Sequence, residues 1–241
     1  MDFLYKLRDD WNFFVDDEIV SCTSYSPKNI AFLLECKFIQ PEPFINFITN
    51  WEKIIDNFKM VITHDKSLLG LHPKIKWCIP SATWIKEPKI HPKTKLVSMI
   101  SSNKLMCQGH ALRLRWVERL RGSLDLYGRG IKDIANKEEA LNDYMFSVTI
   151  ENAQYAGYFT EKILDCFATG TIPIYLGDPN IGEVFNLDGI IILEEDFDLN
   201  TLTEDLYYSK MEAIKENFEI AKQFESIQDY VYNNYLKDLN E

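Results

Sequence analysis

Two polar clusters between Tyr144 and Gly177 carry groups able to hold negative charge. Glu151 and Asn152 end an apolar run, and Tyr158, Thr160, Glu161 and Lys162 open the amphipathic segment that follows. If Thr160 caps a helix there, the free N–H groups of the first turn and the helix dipole favour an anion, and Lys162 adds a full charge where a phosphate would sit. Upstream, Ser101, Ser102, Asn103 and Lys104 follow a strand-like run, and small polar residues at such a point make a turn whose N–H groups can face a phosphate. Arg113, Arg115, Arg119 and Arg121 stud the next helical segment, where most of them read as solvated face. Together these groups suit recognition of a phosphorylated ligand.

The elements that must position them follow from periodicity. Phe146 to Ile150 is a β-branched, apolar run of strand length. Ile163, Leu164, Phe167 and Ala168 recur at helical spacing until Gly170 stops the helix, and Thr171 to Leu176 reads as a buried strand closed by Gly177. This is a βαβ unit. Leu96 to Ile100, a helix from about Gly109 to Leu120, Leu124 to Tyr127 before the turn Gly128-Arg129-Gly130, and a strand from Gly189 to Leu193 extend it into a domain. Residues 201 to 239 read as helical. Ahead of it, Ile30 to Leu34, an amphipathic helix from Phe44 to Phe58, Met60 to Thr63 and Lys76 to Ile79 predict a small α/β unit of about three strands and two helices. Residues 85 to 94, with two prolines and three lysines, read as a linker. The expected division is a reduced N-terminal domain over 1–88, a ligand-binding domain over 95–225, and a terminal helix over 226–241 that could pack back on the first domain. Residues 1–29, rich in aromatics and acids, could wrap that domain or carry a loop.

A length of 241 residues with 46% apolar composition supports a substantial core. The net charge of −11 argues against a nucleic-acid surface, which depends on many Lys and Arg contacts to phosphate. Five scattered cysteines without C-x-x-C spacing fit free thiols in a reducing compartment. With no signal-like start and no run of 18 apolar residues, the expectation is a cytoplasmic protein without an integral membrane segment. The four histidines have no ligand spacing.

The order Ile150-Glu151-Asn152, then Gly157-Tyr158-Phe159-Thr160-Glu161-Lys162, then Gly170-Thr171-Ile172-Pro173-Ile174-Tyr175-Leu176-Gly177 resembles the donor-binding signature of the family-ten glycosyltransferases, the α-1,3/1,4-fucosyltransferases. Upstream, S-S-N at 101 to 103, the arginine-led helix at Arg113 and D-L-Y-G-R-G at 125 to 130 add a looser likeness. The resemblance covers roughly 95–197 and is thin over 30–85.

That resemblance implies an α/β fold of two Rossmann-like domains facing across a cleft (GT-B type), with the N-terminal domain reduced. It also implies transfer of fucose from GDP-fucose to a glycan hydroxyl, with inversion and without a metal or other cofactor. Carried onto this sequence, Lys162 and Arg113 would pair with the diphosphate, Tyr158 would contact the nucleotide, and Asn152 and Glu161 would bind sugar hydroxyls, with Ser102 and Glu151 completing the donor site. Glu35, at the end of IAFLL, stands where the family puts its catalytic base, and Glu42 is its rival. Singly, each of these residues reads as an ordinary cap, turn former or surface charge. Their joint occurrence on one βαβ unit favours a ligand site. GDP itself is inferred from kinship, so GDP-mannose, a UDP-sugar, or a binding protein without catalysis stay open, as do the acceptor and the oligomeric state.

Overall fold

The computed structural model describes residues 11–237; residues 1–10 and 238–241, the extremes of the N-terminal segment and of the expected terminal helix, lie outside the described residues. Two compact units form. Among the described residues the first takes 11–81, 155–158 and 226–237, and the second takes 82–154 and 159–225.

The first unit is a four-stranded parallel sheet in sequential order: β1 (Asn12–Val15), β2 (Asn29–Leu33), β3 (Met60–Thr63) and β4 (Ile75–Trp77). Every residue of β2 and β3 is buried, as expected of parallel strands covered on both faces. Within residues 11–81 the α-helix α1 (Glu42–Ile54) buries Phe44 and Phe47 against Ala31, Leu33 and Val61. This differs from the expected three strands and two helices. β1 was hidden because NFFV is only four residues and lies among acids. Over residues 11–81 no second α-helix forms; the remaining helical segments are 3₁₀ turns, among them Lys66–Leu68, capped by Asp65.

The second unit holds β5 (Lys95–Ile100), α2 (Gln108–Leu120), β6 (Asp125–Tyr127), β7 (Tyr144–Ile150), α3 (Glu161–Thr169), β8 (Ile172–Leu176) and β9 (Ile191–Ile192), then α4 (Glu204–Ser209) and α5 (Met211–Lys222). Its five strands are parallel in the order β6-β5-β7-β8-β9. Phe146, Val148 and Ile150 of β7 join Trp116, Val117 and Leu120 of α2 in the main core. The alternate residue Thr149 meets Cys166 of α3, Oγ1 to Sγ 3.3 Å, so the two helices cover opposite faces.

Two expectations give way here. Residues 85–94 are no loose linker: Ile85 is buried, Lys89 and His91 donate their N–H groups to the carbonyls of Ala168 and Thr169, and Lys93 is buried with Nζ on Leu141 O, Asn142 O, Thr169 O and Thr171 Oγ1. Composition cannot show that one lysine finds four oxygen acceptors. The helical stretch after 201 is broken at Lys210 and again between Gln223 and Ser226, where Ser226 caps α6 (Ile227–Val231); from there the chain belongs to the first unit, with Tyr230 edge-on to Trp77. Among the described residues no helix is long and apolar enough to cross a membrane.

Candidate functional site

β7 is buried throughout, and the polar residues that follow it emerge at the carboxyl end of the sheet. Glu151 is itself buried. Its Oε1 accepts the N–H of Thr160 at 2.9 Å, and its Oε2 accepts from Thr160 Oγ1 at 2.8 Å and Lys162 Nζ at 3.2 Å. Thr160 caps α3 as expected, its hydroxyl accepting from the Lys162 N–H, and Gly170 ends the helix in the left-handed conformation at φ 73°. The start of α3 is therefore an organised cap in which a carboxylate holds the lysine. Burial alone would lower the Lys162 pKa, but the carboxylates of Glu151 and Glu161 outweigh it and raise the net value, so the ammonium stays charged.

α2 supplies a second cation. A Cβ on Gly109 would lie 2.1 Å from the carbonyl oxygen of Asn152, so only glycine lets this helix start rest against the end of β7. One turn on, the buried Arg113 donates from Nε and Nη2 to Ile150 O at 3.2 and 2.8 Å, and from Nη2 to Asn152 Oδ1 at 2.8 Å. Its neighbours Arg115 and Arg119 point to solvent and meet Glu195. Helix register thus picks out Arg113. His110 Nδ1 accepts the Met106 N–H at 3.0 Å; burial, then the charges of Arg113, Lys162 and Lys104, lower its pKa, which keeps the ring neutral near pH 7.

These side chains surround a cavity of about 330 Å³, within the range of small-ligand pockets. It lies at the carboxyl ends of β5, β6 and β7, where successive strands are laid down on opposite sides of β5, the switch point at which doubly wound sheets bind ligands. Five cations line it: Lys104, Arg113, Arg129, Lys137 and Lys162. At its edge Gly128, at φ 110°, takes a conformation in which a Cβ would fall 1.9 Å from Ser101 O.

Of the residues read from the sequence, Ser102, Arg113, Asn152, Glu161 and Lys162 share this cavity, and Glu151 stands behind them, holding Thr160 and Lys162. Tyr158 and Glu35 belong to the first unit. Tyr158 is buried there, stacked on Tyr155 at 4.8 Å and edge-on to His64 at 5.1 Å. Glu35 follows β2, with Oε1 accepting the Cys36 N–H at 2.8 Å, and Glu42 is an exposed residue in the first turn of α1.

Sequence reasoning missed three lining residues that act together. Asp165 accepts from Thr83 Oγ1 and the Trp84 N–H at 2.7 Å each and from Lys137 Nζ at 2.6 Å, while Lys137 also lies 3.4 Å from Glu161 and 4.0 Å from the exposed Trp84 ring. Asp165 was findable as the one acid on the apolar face of α3, four residues after Glu161. Lys137 opens a single 3₁₀ turn and Trp84 sits in an irregular segment, so no periodicity marks either.

Residues 90–234 match the glycosyltransferase family 10 (fucosyltransferase) C-terminal region. An α-(1,3)-fucosyltransferase of Helicobacter pylori is 46% identical over 54 residues, covering 22% of this chain and 11% of that protein. A putative fucosyltransferase-like protein of Arabidopsis thaliana is 33% identical over 102 residues, covering 39% of this chain and 19% of that protein. The matches thus span under a fifth of these relatives. A crystal structure of an α1,3-fucosyltransferase with GDP shares the fold, at TM-score 0.51 and 17% identity over 88% of this chain and 74% of that one. With the family's C-terminal region matching more than half of the sequence, and the α/β architecture shared, the chain belongs to glycosyltransferase family 10.

Proposed function

We propose that the chain is an inverting, metal-independent fucosyltransferase, moving fucose from GDP-fucose to a hydroxyl of a glycan acceptor. The observation that carries the reading is the cavity at the switch point, where two helix starts and five cations converge in a protein of net charge −11. As the glycosyl bond breaks, negative charge grows on the departing diphosphate. Cations already held in place by Glu151, Asn152 and Ile150 stabilise that charge more than the ground state, because they need no reorganisation when it forms. Lys162 and Arg113 are assigned to the diphosphate, Asn152 and Glu161 to sugar hydroxyls, and Ser102 to the phosphate side of the cavity. The relative solved with GDP supports the choice of nucleotide.

Glu35 is assigned as general base. It takes the proton of the attacking acceptor hydroxyl as that oxygen bonds to the anomeric carbon and the diphosphate leaves from the opposite face, which inverts the centre. The cations supply the charge stabilisation that a divalent ion gives elsewhere.

The test combines ligand binding with product analysis. GDP or GDP-fucose at 100 times its dissociation constant should stabilise the fold by about 2.7 kcal/mol, readily seen as a thermal shift, with or without EDTA. Transfer to an oligosaccharide acceptor should then give a product whose anomeric configuration, read by NMR, is opposite to the donor's. A shift produced only by UDP-sugars, retention of configuration, or loss of transfer in EDTA would each overturn the corresponding part.

A further inference from the structure

Among the described residues, Asp16 is the only one other than glycine with a positive φ, at 48°. Aspartate tolerates the left-handed region better than most residues, yet it still stores strain that the surroundings must hold in place. Asp16 directly follows the last residue of β1, and the reversal there turns the chain off the sheet and aims its carboxylate at the end of β2. Oδ1 accepts the N–H groups of Leu34 and Glu35 at 2.8 and 3.3 Å. Ladder pairing of β2 with β3 stops at Leu33, so these two amides lie just past the end of the ladder.

The peptide that follows Glu35 is also held. His64, one residue past β3, places Nε2 at 3.1 Å from the carbonyl oxygen of Glu35, and Nδ1 at 3.3 Å from Tyr155 Oη. A carbonyl only accepts, so Nε2 carries the ring proton and Nδ1 takes the proton of the tyrosine. Burial lowers the His64 pKa to about 4, which keeps the ring neutral at neutral pH. The backbone of Glu35 is therefore held on both sides, its N–H by a strained aspartate and its C=O by a buried histidine, while the Cys36 N–H donates to one oxygen of its side chain.

We propose that Asp16 is a positioning residue for Glu35, fixing the backbone at the end of β2 so that the carboxylate is presented in one orientation. The inference rests on the assignment of Glu35 as base. A turn that merely closed β1 could use glycine, which adopts this conformation without strain. The carboxylate is what the aspartate adds, and both its contacts are to the Glu35 peptide and the one before it.

Three variants of the full chain separate the possibilities: D16G, which keeps the backbone conformation and removes the acceptor; D16N, which restores the Oδ1 acceptor and also tolerates left-handed φ; and E35Q. Steady-state transfer from GDP-fucose is read as kcat and donor KM, with GDP affinity by calorimetry and melting temperature alongside. The expected result is that D16G lowers kcat about tenfold or more, since small misplacements of a reacting group are costly, leaves GDP affinity within about twofold, and is rescued by D16N to within about threefold of wild type. If D16G keeps full kcat while E35Q is inactive, the positioning role is overturned and the base assignment stands. If D16G lowers kcat and GDP affinity together, the effect is general destabilisation and the proposal is again overturned. If E35Q transfers normally, the base assignment fails and this inference falls with it.

Discussion

The ammonium of Lys162 lies 3.2 Å from a carboxylate oxygen of the buried Glu151, and the threonine that caps α3 bonds to both. The lysine is thus a structural partner as well as a cation of the cavity. Removing one member of a buried pair leaves the other charge uncompensated, at a cost of about 3 to 5 kcal/mol when fully buried. Lys162 retains 22% side-chain exposure, and that solvent screening reduces the expectation to about 2 kcal/mol. Lys162→Ala should therefore lose GDP binding and also lower the urea midpoint, and Glu161→Ala should lose transfer and lower the midpoint as well, since Glu161 pairs with both Lys137 and Lys162. Equal midpoints for wild type and Lys162→Ala would show that the pair contributes nothing to the fold.

Arg113 and Asn152 should behave as one unit. The guanidinium donates to Asn152 Oδ1 at 2.8 Å while also holding Ile150 O, so the asparagine fixes the arginine and the arginine fixes the amide. Residues sharing a hydrogen-bond network show interaction energies of about 0.5 to 3 kcal/mol in double-mutant cycles. In a cycle of Arg113→Ala and Asn152→Ala read by GDP calorimetry, the double variant should lose clearly less affinity than the two single losses combined. Simple additivity would mean that the two side chains meet the ligand independently.

How much of this could be read from the chain differs by element. The βαβ unit around α3 was legible to the residue at its cap, Thr160, and its stop, Gly170, because each is set by chemistry local in sequence. Arg113 could be named but not separated from Arg115, since that choice is a matter of helix register against the end of β7. Lys137 and Lys93 were out of reach. Each owes its place to acceptors far along the chain, Asp165 for the first and carbonyls of 141, 142 and 169 for the second, and no spacing rule connects them. The same holds for Asp16, whose left-handed turn became visible only once β1 was seen to lie beside β2.

Gly128 and Gly122 offer a matched test of the cavity edge. Both have positive φ, 110° and 83°, but a Cβ at Gly128 would fall 1.9 Å from Ser101 O, whereas one at Gly122 meets nothing within 4 Å. Alanine at Gly122 should cost only the conformational strain, on the order of 1 kcal/mol. Gly128→Ala must in addition push the backbone at Ser101 away, which displaces the turn leading to Ser102 and Lys104. It should weaken GDP binding by about tenfold or more while Gly122→Ala binds as wild type. Similar affinities in the two variants would mean that the turn after β5 does not shape the site.

His64 makes acid sensitivity of the first unit predictable. Desolvation is the main cause of its low pKa; the Glu35 carbonyl and the Asp65 carboxylate act in the opposite direction, and the Lys37 ammonium adds to the lowering. The folded value of about 4 lies below the ordinary 6.5, so the unfolded chain binds the proton more readily. Stability from the neutral ring is complete above pH 6.5 and is lost as pH falls through that window toward 4. A shift of this size corresponds to about 3 kcal/mol. His64→Gln keeps a side-chain donor for the Glu35 carbonyl but cannot titrate. Urea denaturation followed between pH 7 and 4 should show the wild type losing about that much more stability than the variant. Parallel curves for the two proteins would place the acid-sensitive groups elsewhere and remove the neutral imidazole as the clamp on Glu35.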